Sequence, residues 1–545
     1  MKRITAIVLA LMVALSIAAC GGGSDIETPS QTSGGTPPDS GSPTAPAAES
    51  PSSGTPTDTP PSGGASYGGV VRIVCTAEGA NPIGVPWEVF GVDTALLIPA
   101  VESLLLERTN GEIVPFLAES YEEDAENLEI RIKLRQGVKF HDGSDFNADV
   151  AIWNLERSIE HGGNISTAVI GVERRGDYEL ALLLDKYQNN IISGLASHAN
   201  GMISKESYEE NGIDWARDNP VGTGPFKLKE YVHGGSITFV KNEDYWQDGK
   251  PYLDGMEFQF IRDVMTQNVA LQAAGDQSIN VLDTTNGEQI QMFSQMGYRI
   301  NSMPIGPISL VPNSLDSSSP LSKLEVRQAI SFALNRESIV AARGFGVLQP
   351  AYQFVGEGWN AHLPDSYNLS YDLDKAKTLL AEAGYPDGFT TTLIAQPGLA
   401  DKDAVVAMQS QLAQIGITAE VEFPDSGGYS AYRSNGWEGL LVQHTRSLTV
   451  IASTFNFYFG QTMKLLSQLW YPDEMEQAIE NGFAKSENTE EVQQLHKMVL
   501  DNVLVIPVYY LYDTWITQPN VEGGGFAGWG SSTMFLPEEV YLAAG

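Results

Sequence analysis

The chemistry open to this 545-residue chain begins with its seven histidines, two cysteines and 68 acidic residues. His141, His161, His198, His233, His362, His444 and His496 are scattered singly. None stands at H-E-x-x-H or similar metal-ligand spacing, and no local cysteine or histidine partners them, so no metal site is expected. His141, beside Asp142-Gly143, reads as part of a turn. The stretch PDSGG, 424–428, sets a serine among glycines as a hydrolase nucleophile loop does. It lacks a glycine before Asp425 and a matching histidine segment, and it reads as a loop after a strand. No G-x-S-x-G elbow occurs. Acidic runs such as SYEEDAENLE read as a solvated face. No catalytic set and no cofactor is expected.

The stretch NPVGTGPFKLKEY, 219–231, tests for a phosphate loop. A P-loop requires G-x-x-x-x-G-K-[ST], and a dinucleotide site requires a third glycine at a helix mouth. Neither is present. Gly222 and Gly224 are expected to allow a tight corner before the strand Phe226 to Tyr231. Aromatic residues are plentiful, and several fall outside periodic segments: Trp87, Phe90, Trp359, Tyr429, Tyr432, Trp437, Tyr509, Tyr510 and Tyr512. Aromatics in loops suit a cleft that encloses an organic ligand.

The elements that would hold such a cleft are legible in part. LEIRIKLRQGVKF alternates with Leu128, Ile130, Ile132 and Leu134 on one face, as a half-buried strand does. Asp145 or Asn147 caps a following helix that turns Val150, Ala151 and Trp153 inward. SKLEVRQAISFALNRESIVAAR reads as one long amphipathic helix. Asp372 caps a helix that Gly384 stops. FTTTLIAQ, DKDAVVAMQSQLAQIG and ITAEVEF form a β-α-β unit with parallel strands. Cys75, in VVRIVCT, is expected to be a buried strand residue.

Composition bounds the rest. With 42% hydrophobic residues the body is globular, and its length suits roughly three domains. A net charge of −36 with only 32 Lys and Arg excludes a nucleic-acid partner. MKR followed by ITAIVLALMVALSI and small residues reads as a signal peptide, too short in its apolar part to span a membrane. Ile17-Ala18-Ala19-Cys20 resembles the lipobox of bacterial lipoproteins, which implies a signal peptide over 1–19 and a lipid on Cys20. Residues 21–66 are almost all Gly, Ser, Pro, Thr and Ala and read as a disordered tether.

Five blocks then occur in order. LAESYEEDAENLEIRIKLRQGVKFHDGSDFNADVAIWNLER, NPVGTGPFKLKEYVHGGSITFVKNEDYW, LEVRQAISFALNRESIV, YDLDKAKTLLAEAGYPDG and VIPVYYLYDTW resemble the family 5 extracellular solute-binding proteins, the dipeptide, oligopeptide and nickel receptors of ABC importers. The resemblance implies a two-lobed α/β fold of the periplasmic-binding-protein type, with a hinge of two connecting segments. Lobe I would span 67–305, with a subdomain at about 106–217, and take back 508–545. Lobe II would span 306–507. It further implies a monomeric, extracytoplasmic receptor, lipid-anchored to the cell membrane, that closes on a peptide or similar solute and delivers it to a permease. Peptide-binding members carry an Asp shortly after a Trp in lobe II. Here NGWEGLLVQHTRSLTV offers no Asp between Trp437 and Thr454, only Gln443, His444 and Arg446. Arg446 suits a carboxylate or other anionic group. A non-peptide ligand (oligosaccharide, anionic solute or metal chelate), a sensor role and a secreted hydrolase are the alternatives.

Overall fold

β-Branched and alternating runs pair into one large sheet. Its strands, in spatial order, are Thr418–Glu422, Thr390–Ile394, Leu440–His444, Arg299–Pro312, Ile506–Thr517, Val281–Thr284, Val70–Cys75, Gly255–Phe260, Ser236–Lys241 and Phe226–Val232, with Gln349–Pro350 added on Ile506–Thr517. The computed structural model describes residues 66–543, apart from 77, 80, 90–93, 109–110, 164, 166, 276–277, 397, 399, 449, 461–464 and 527–534. These belong to one compact unit, Thr59–Gly545. Cys20, Phe90 and all but the last residue of the tether lie outside the described residues.

Thr390–Ile394 and Thr418–Glu422 are parallel, joined by the helix Lys402–Ala413, as the β-α-β pattern requires. A separate sheet has the order Ala118–Asp124, Glu129–Leu134, Glu179–Leu184, Val169–Gly176. There Ile130, Ile132 and Leu134 are buried while Arg131 and Lys133 are exposed. Leu128 stands just before the strand with a left-handed backbone (φ 55°). Asn147, not Asp145, caps the helix Ala148–Glu160 by accepting from Val150 N.

Four expectations need correcting. The long helix is two helices, Leu324–Ala333 and Arg336–Arg343. The break comes because the Asn335 side chain accepts from Ser338 N and restarts the chain as a cap. The break also positions Arg336, which is fully buried and donates to Pro507 O (2.8 Å), Ser331 O (3.0 Å) and Ser331 Oγ (3.0 Å). With Arg327, which donates to Asn502 O and Val503 O, it ties the helix pair to the start of Ile506–Thr517. Burial pulls both guanidinium groups down to about 10. PDSGG is not a loop: Asp425 caps the helix Ser426–Asn435. Cys75 is half-buried at a strand end.

The fourth correction concerns the reason for Gly222 and Gly224. Neither has a left-handed backbone. A Cβ at 222 would lie 2.0 Å from Ala100 O, and one at 224 would lie 2.6 Å from Pro99 O. The chain does bend at 223–225 before the strand, but the glycines serve close backbone approach and not a left-handed turn. That approach brings Thr223 Oγ1 within 2.7 Å of buried Glu102, which also accepts from Tyr245 OH (2.6 Å) and Trp246 Nε1 (2.9 Å). The GTGP and DYW stretches thus meet on one carboxyl group. Burial pushes Glu102 up to about 8 against these donors, with the charge of Glu538 adding to the rise.

Separate apolar cores fill the unit. One holds Val71, Ile73, Trp87, Phe226, Phe258 and Trp515 beneath one end of the large sheet. Another holds Ile308, Leu310, Leu393, Val442, Ile506 and Val508 at the other end. The four-stranded sheet has its own, with Leu104, Ile132, Leu155 and Leu182. Arg299–Pro312 and Ile506–Thr517 pair antiparallel from Arg299↔Thr517 to Leu310↔Ile506, so both run from the first core to the second. Their register breaks between Pro304 and Gly306, and again between Ile308 and Ser309.

Candidate ligand-binding site

The register break at Pro304/Gly306 is where the two long strands pass between cores, and polar groups gather there. Gly306 has φ +119°, and a Cβ on it would lie 2.2 Å from Thr445 O and 2.9 Å from Arg446 Cα. The strand Leu440–His444 continues alongside, with Thr445 N donating to Pro307 O (2.8 Å) and Ser447 N to Ile305 O (3.0 Å). Side chains along this extension alternate: Gln443, Thr445 and Ser447 are buried, His444 and Arg446 half-buried. Gln443 donates to His444 O (2.6 Å) and meets Tyr429 OH (3.0 Å).

The missing side chain at 306 lets the backbone of 445–447 approach this strand closely. Asp283 pairs across from Trp515, and Asp513 lies two residues along on the same face. Burial holds the Asp283 carboxyl well above the usual range, the charge and hydrogen bond of Asp513 add to this, and Arg446 opposes it. Arg446 thus acts electrostatically on the acid pair across the large sheet. His444 is driven down to about 4, first by burial and then by Arg446, so its ring is neutral near pH 7. Among the described residues, its Nε2 is buried without a hydrogen-bond partner.

On the other face of Ile506–Thr517 lies a cavity of about 590 Å³, lined by Pro304, Tyr352, Glu357, His362, Tyr510 and Tyr512 among others. Glu337 and Asp365 also line it, and among the described residues no Lys or Arg does. The volume lies within the range of small-molecule sites, roughly 300–1,000 Å³. Tyr510 donates to Gln353 O (3.0 Å).

The aromatic expectations separate accordingly. Tyr510 and Tyr512 line the cavity. Tyr509 is buried among the core residues around Ile506 and Val508. Trp87 packs edge-on against Trp153 and Tyr208, in a core. Trp437 is buried with Phe354 and Phe455, and Trp359 is half-buried against the same core. Tyr432 donates to Glu422 at the surface. Gln443, His444 and Arg446 come together at the crossing of the long strands. Asp283 and Asp513 were missed. Their signal was an acid inside each apolar strand, VLDT and YYLYDTW, where burial without a partner is costly. Among the described residues, no group of three or more His, Cys, Asp or Glu is arranged to hold a metal ion, and no helix is long and apolar enough to cross a membrane.

Residues 112–462 match the family described as bacterial extracellular solute-binding proteins, family 5 Middle. Among relatives, the chain is 27% identical over 450 residues to the oligopeptide-binding protein AppA of Bacillus subtilis, covering 75% of this chain and 80% of the relative. It is 32% identical over 330 residues to the glutathione-binding protein GsiB of Salmonella typhi, covering 58% of this chain and 62% of the relative. The structure of the binding protein AgaA with agropinic acid, from A. tumefacien R10, superposes with a TM-score of 0.73 at 25% identity, covering 88% of this chain and 99% of that one. The α/β architecture, with two strands crossing between its ends, is the two-lobed fold of these proteins. The chain belongs to the bacterial extracellular solute-binding proteins of family 5.

Proposed function

We propose that this chain is a receptor that captures a peptide or similar small organic solute between its lobes and delivers it to the permease of an ABC importer. The observation that carries this is the crossing of Arg299–Pro312 and Ile506–Thr517, where Arg446 acts electrostatically on the acid pair Asp283 and Asp513 on one face and a 590 Å³ cavity opens on the other. Lobe I comprises 67–305 and 508–545, with the subdomain at about 106–217, and lobe II comprises 306–507. The register break at Pro304/Gly306 and the facing stretch Leu511–Tyr512 serve as the hinge. Closure is a population shift driven by contacts that only the closed state makes with solute. The relatives named for oligopeptide and glutathione support the peptide class. Cys20 carries the lipid, the chain catalyses no reaction, and it works as a monomer outside the cytoplasm.

A second reading has one observation in its favour. Arg446 supplies a cation in the stretch where peptide-binding members carry an Asp, which suits an anionic solute. Native mass spectrometry of protein from its own organism, followed by thermal-shift screening of peptides, organic acids, oligosaccharides and chelates, separates the two. A bound peptide supports the first reading and a bound organic acid the second. Neither a co-purified mass nor any stabilisation overturns both.

A further inference from the structure

A second contact joins the subdomain to lobe II. Residues 186–190 leave the four-stranded sheet and meet the end of the helix Met475–Phe483. The Asn189 backbone amide donates to Phe483 O (3.0 Å). Its side-chain Nδ2 donates to both Gly482 O (2.9 Å) and Lys485 O (2.7 Å). Lys186 Nζ stands 3.5 Å from Glu480, and Tyr187 hydrogen-bonds Ser486. The last carbonyls of a helix have no acceptor role inside it, and a partner that satisfies them is stabilising. Asn189 suits this because its amide offers two hydrogens and each finds a carbonyl.

Among the described residues, no strand of the four-stranded sheet pairs with the large sheet. The subdomain core, with Leu182 and Leu195, and the core of Phe354, Phe455 and Phe483 are separate. No sheet pairing therefore fixes this contact, which rests on one backbone bond and the Asn189, Lys186 and Tyr187 side chains, and a rigid-body opening of the lobes would break it. We propose that Asn189 is a positioning residue whose bonds to lobe II latch the lobes closed. The proposal rests on the two-lobe reading above. It makes part of the solute affinity depend on a residue whose amide hydrogens are all spent on lobe II carbonyls, because a chain that closes more readily binds more tightly.

The test uses the full-length, ligand-free chain, measured by hydrogen exchange and small-angle scattering. In the wild type, residues 186–190 and 480–486 exchange slowly. Asn189→Ala removes two hydrogen bonds and shifts the closed-to-open ratio by about tenfold or more. Exchange at both segments accelerates to match, and the radius of gyration rises. Asn189→Asp opens the chain further, since a carboxylate facing carbonyl oxygens offers no donor. Asn488→Ala is the control: Asn488 Nδ2 donates to the same Gly482 O (2.6 Å) from within lobe II, so its loss leaves the radius unchanged. A bis-maleimide bridge between Lys186→Cys and Glu480→Cys restores the wild-type radius to the Asn189→Ala chain. Unchanged radius and unchanged exchange in Asn189→Ala overturn the latch. So does faster exchange spread over the whole chain with a lowered Tm, which marks a purely structural role. Because no solute enters the measurement, a failed latch leaves the solute-binding reading intact, and that reading fails only on its own screen.

Discussion

Replacing Glu102 by Gln should flatten the alkaline side of the stability profile. Glu102 is 3% exposed, and burial pushes it up to about 8. Glu538, also 3% exposed, is pushed up to about 7 by burial, with Lys250 opposing. Each holds its proton more tightly folded than unfolded. Between the ordinary carboxyl range and about pH 8 the folded chain therefore binds more protons, and stability falls as pH rises. The contribution is complete below the ordinary range and lost as pH passes the folded value. While Glu102 alone is changing, the slope approaches about 1.4 kcal/mol per pH unit, or about 3 kcal/mol from about pH 5.5 to 7.5. For a chain of this size that is a few degrees in Tm. Gln keeps an oxygen to accept from Thr223 and Trp246, and its NH₂ can donate to the Tyr245 hydroxyl, so the fold survives. The buried histidines His141, His444 and His496, each lowered to about 4 by burial, act in the opposite direction between about pH 4 and 6.5 and are unaffected by the change. Differential scanning calorimetry across pH 5 to 8.5 compares the two chains. The wild type should lose Tm above about pH 6 while Glu102→Gln loses less. Parallel profiles would refute the argument, because they would mean that Glu102 is ionised in the fold throughout this range.

Three further outcomes follow from the same geometry. Arg446→Met removes the cation opposing Asp283 and should weaken binding of the co-purified solute by about tenfold or more, read by titration calorimetry; unchanged affinity removes Arg446 from the site. Gly306→Ala forces a Cβ to within 2.2 Å of Thr445 O at a left-handed backbone position, so a loss of about 1–3 kcal/mol is expected in thermal unfolding, together with a changed radius of gyration. Arg336→Met leaves Pro507 O and Ser331 O without their donor and should cost about 3–5 kcal/mol by denaturant titration; a near-neutral result would show that the packed methylenes suffice.

What was legible in the sequence was local. The β-α-β unit around Lys402–Ala413, the caps at Asn147 and Asp372, and the strand beginning at Phe226 each depend on neighbours a few residues away, and periodicity reports such neighbours. The split of the long helix was hidden because Leu334-Asn335 interrupts an apolar period that continues on both sides, and only the cap to Ser338 N decides it. The candidate site was legible only on one strand. Gln443, His444 and Arg446 stand together in sequence, but the acids that face Arg446 come from positions 283 and 513, joined by sheet register alone. Gly306 is the residue that lets the backbone of 445–447 approach closely, and a single glycine among fifty-four carries no sign of its role.

The same logic bears on how charge and closure combine. Asp283 and Asp513 belong to strands at the lobe I end of the sheet, while Arg446 extends a strand at the lobe II end. Any change in the angle between lobes changes the separation of this cation from the two acids, and with it the proton affinity of Asp283. A solute that brings its own carboxylate to Arg446 competes with the acids for that cation, and one that brings an ammonium favours the ionised form of the acid pair. A zwitterion satisfies both halves at once, whereas a purely anionic solute leaves Asp283 and Asp513 facing each other with less compensation. The expected consequence, on the proposed reading, is that the acid pair discriminates among solutes that Arg446 alone would treat alike. Asp283→Asn should narrow the difference in affinity between a zwitterionic solute and its N-acetylated, anionic counterpart. If calorimetry finds that difference unchanged, the acid pair braces the crossing strands and does not select the solute.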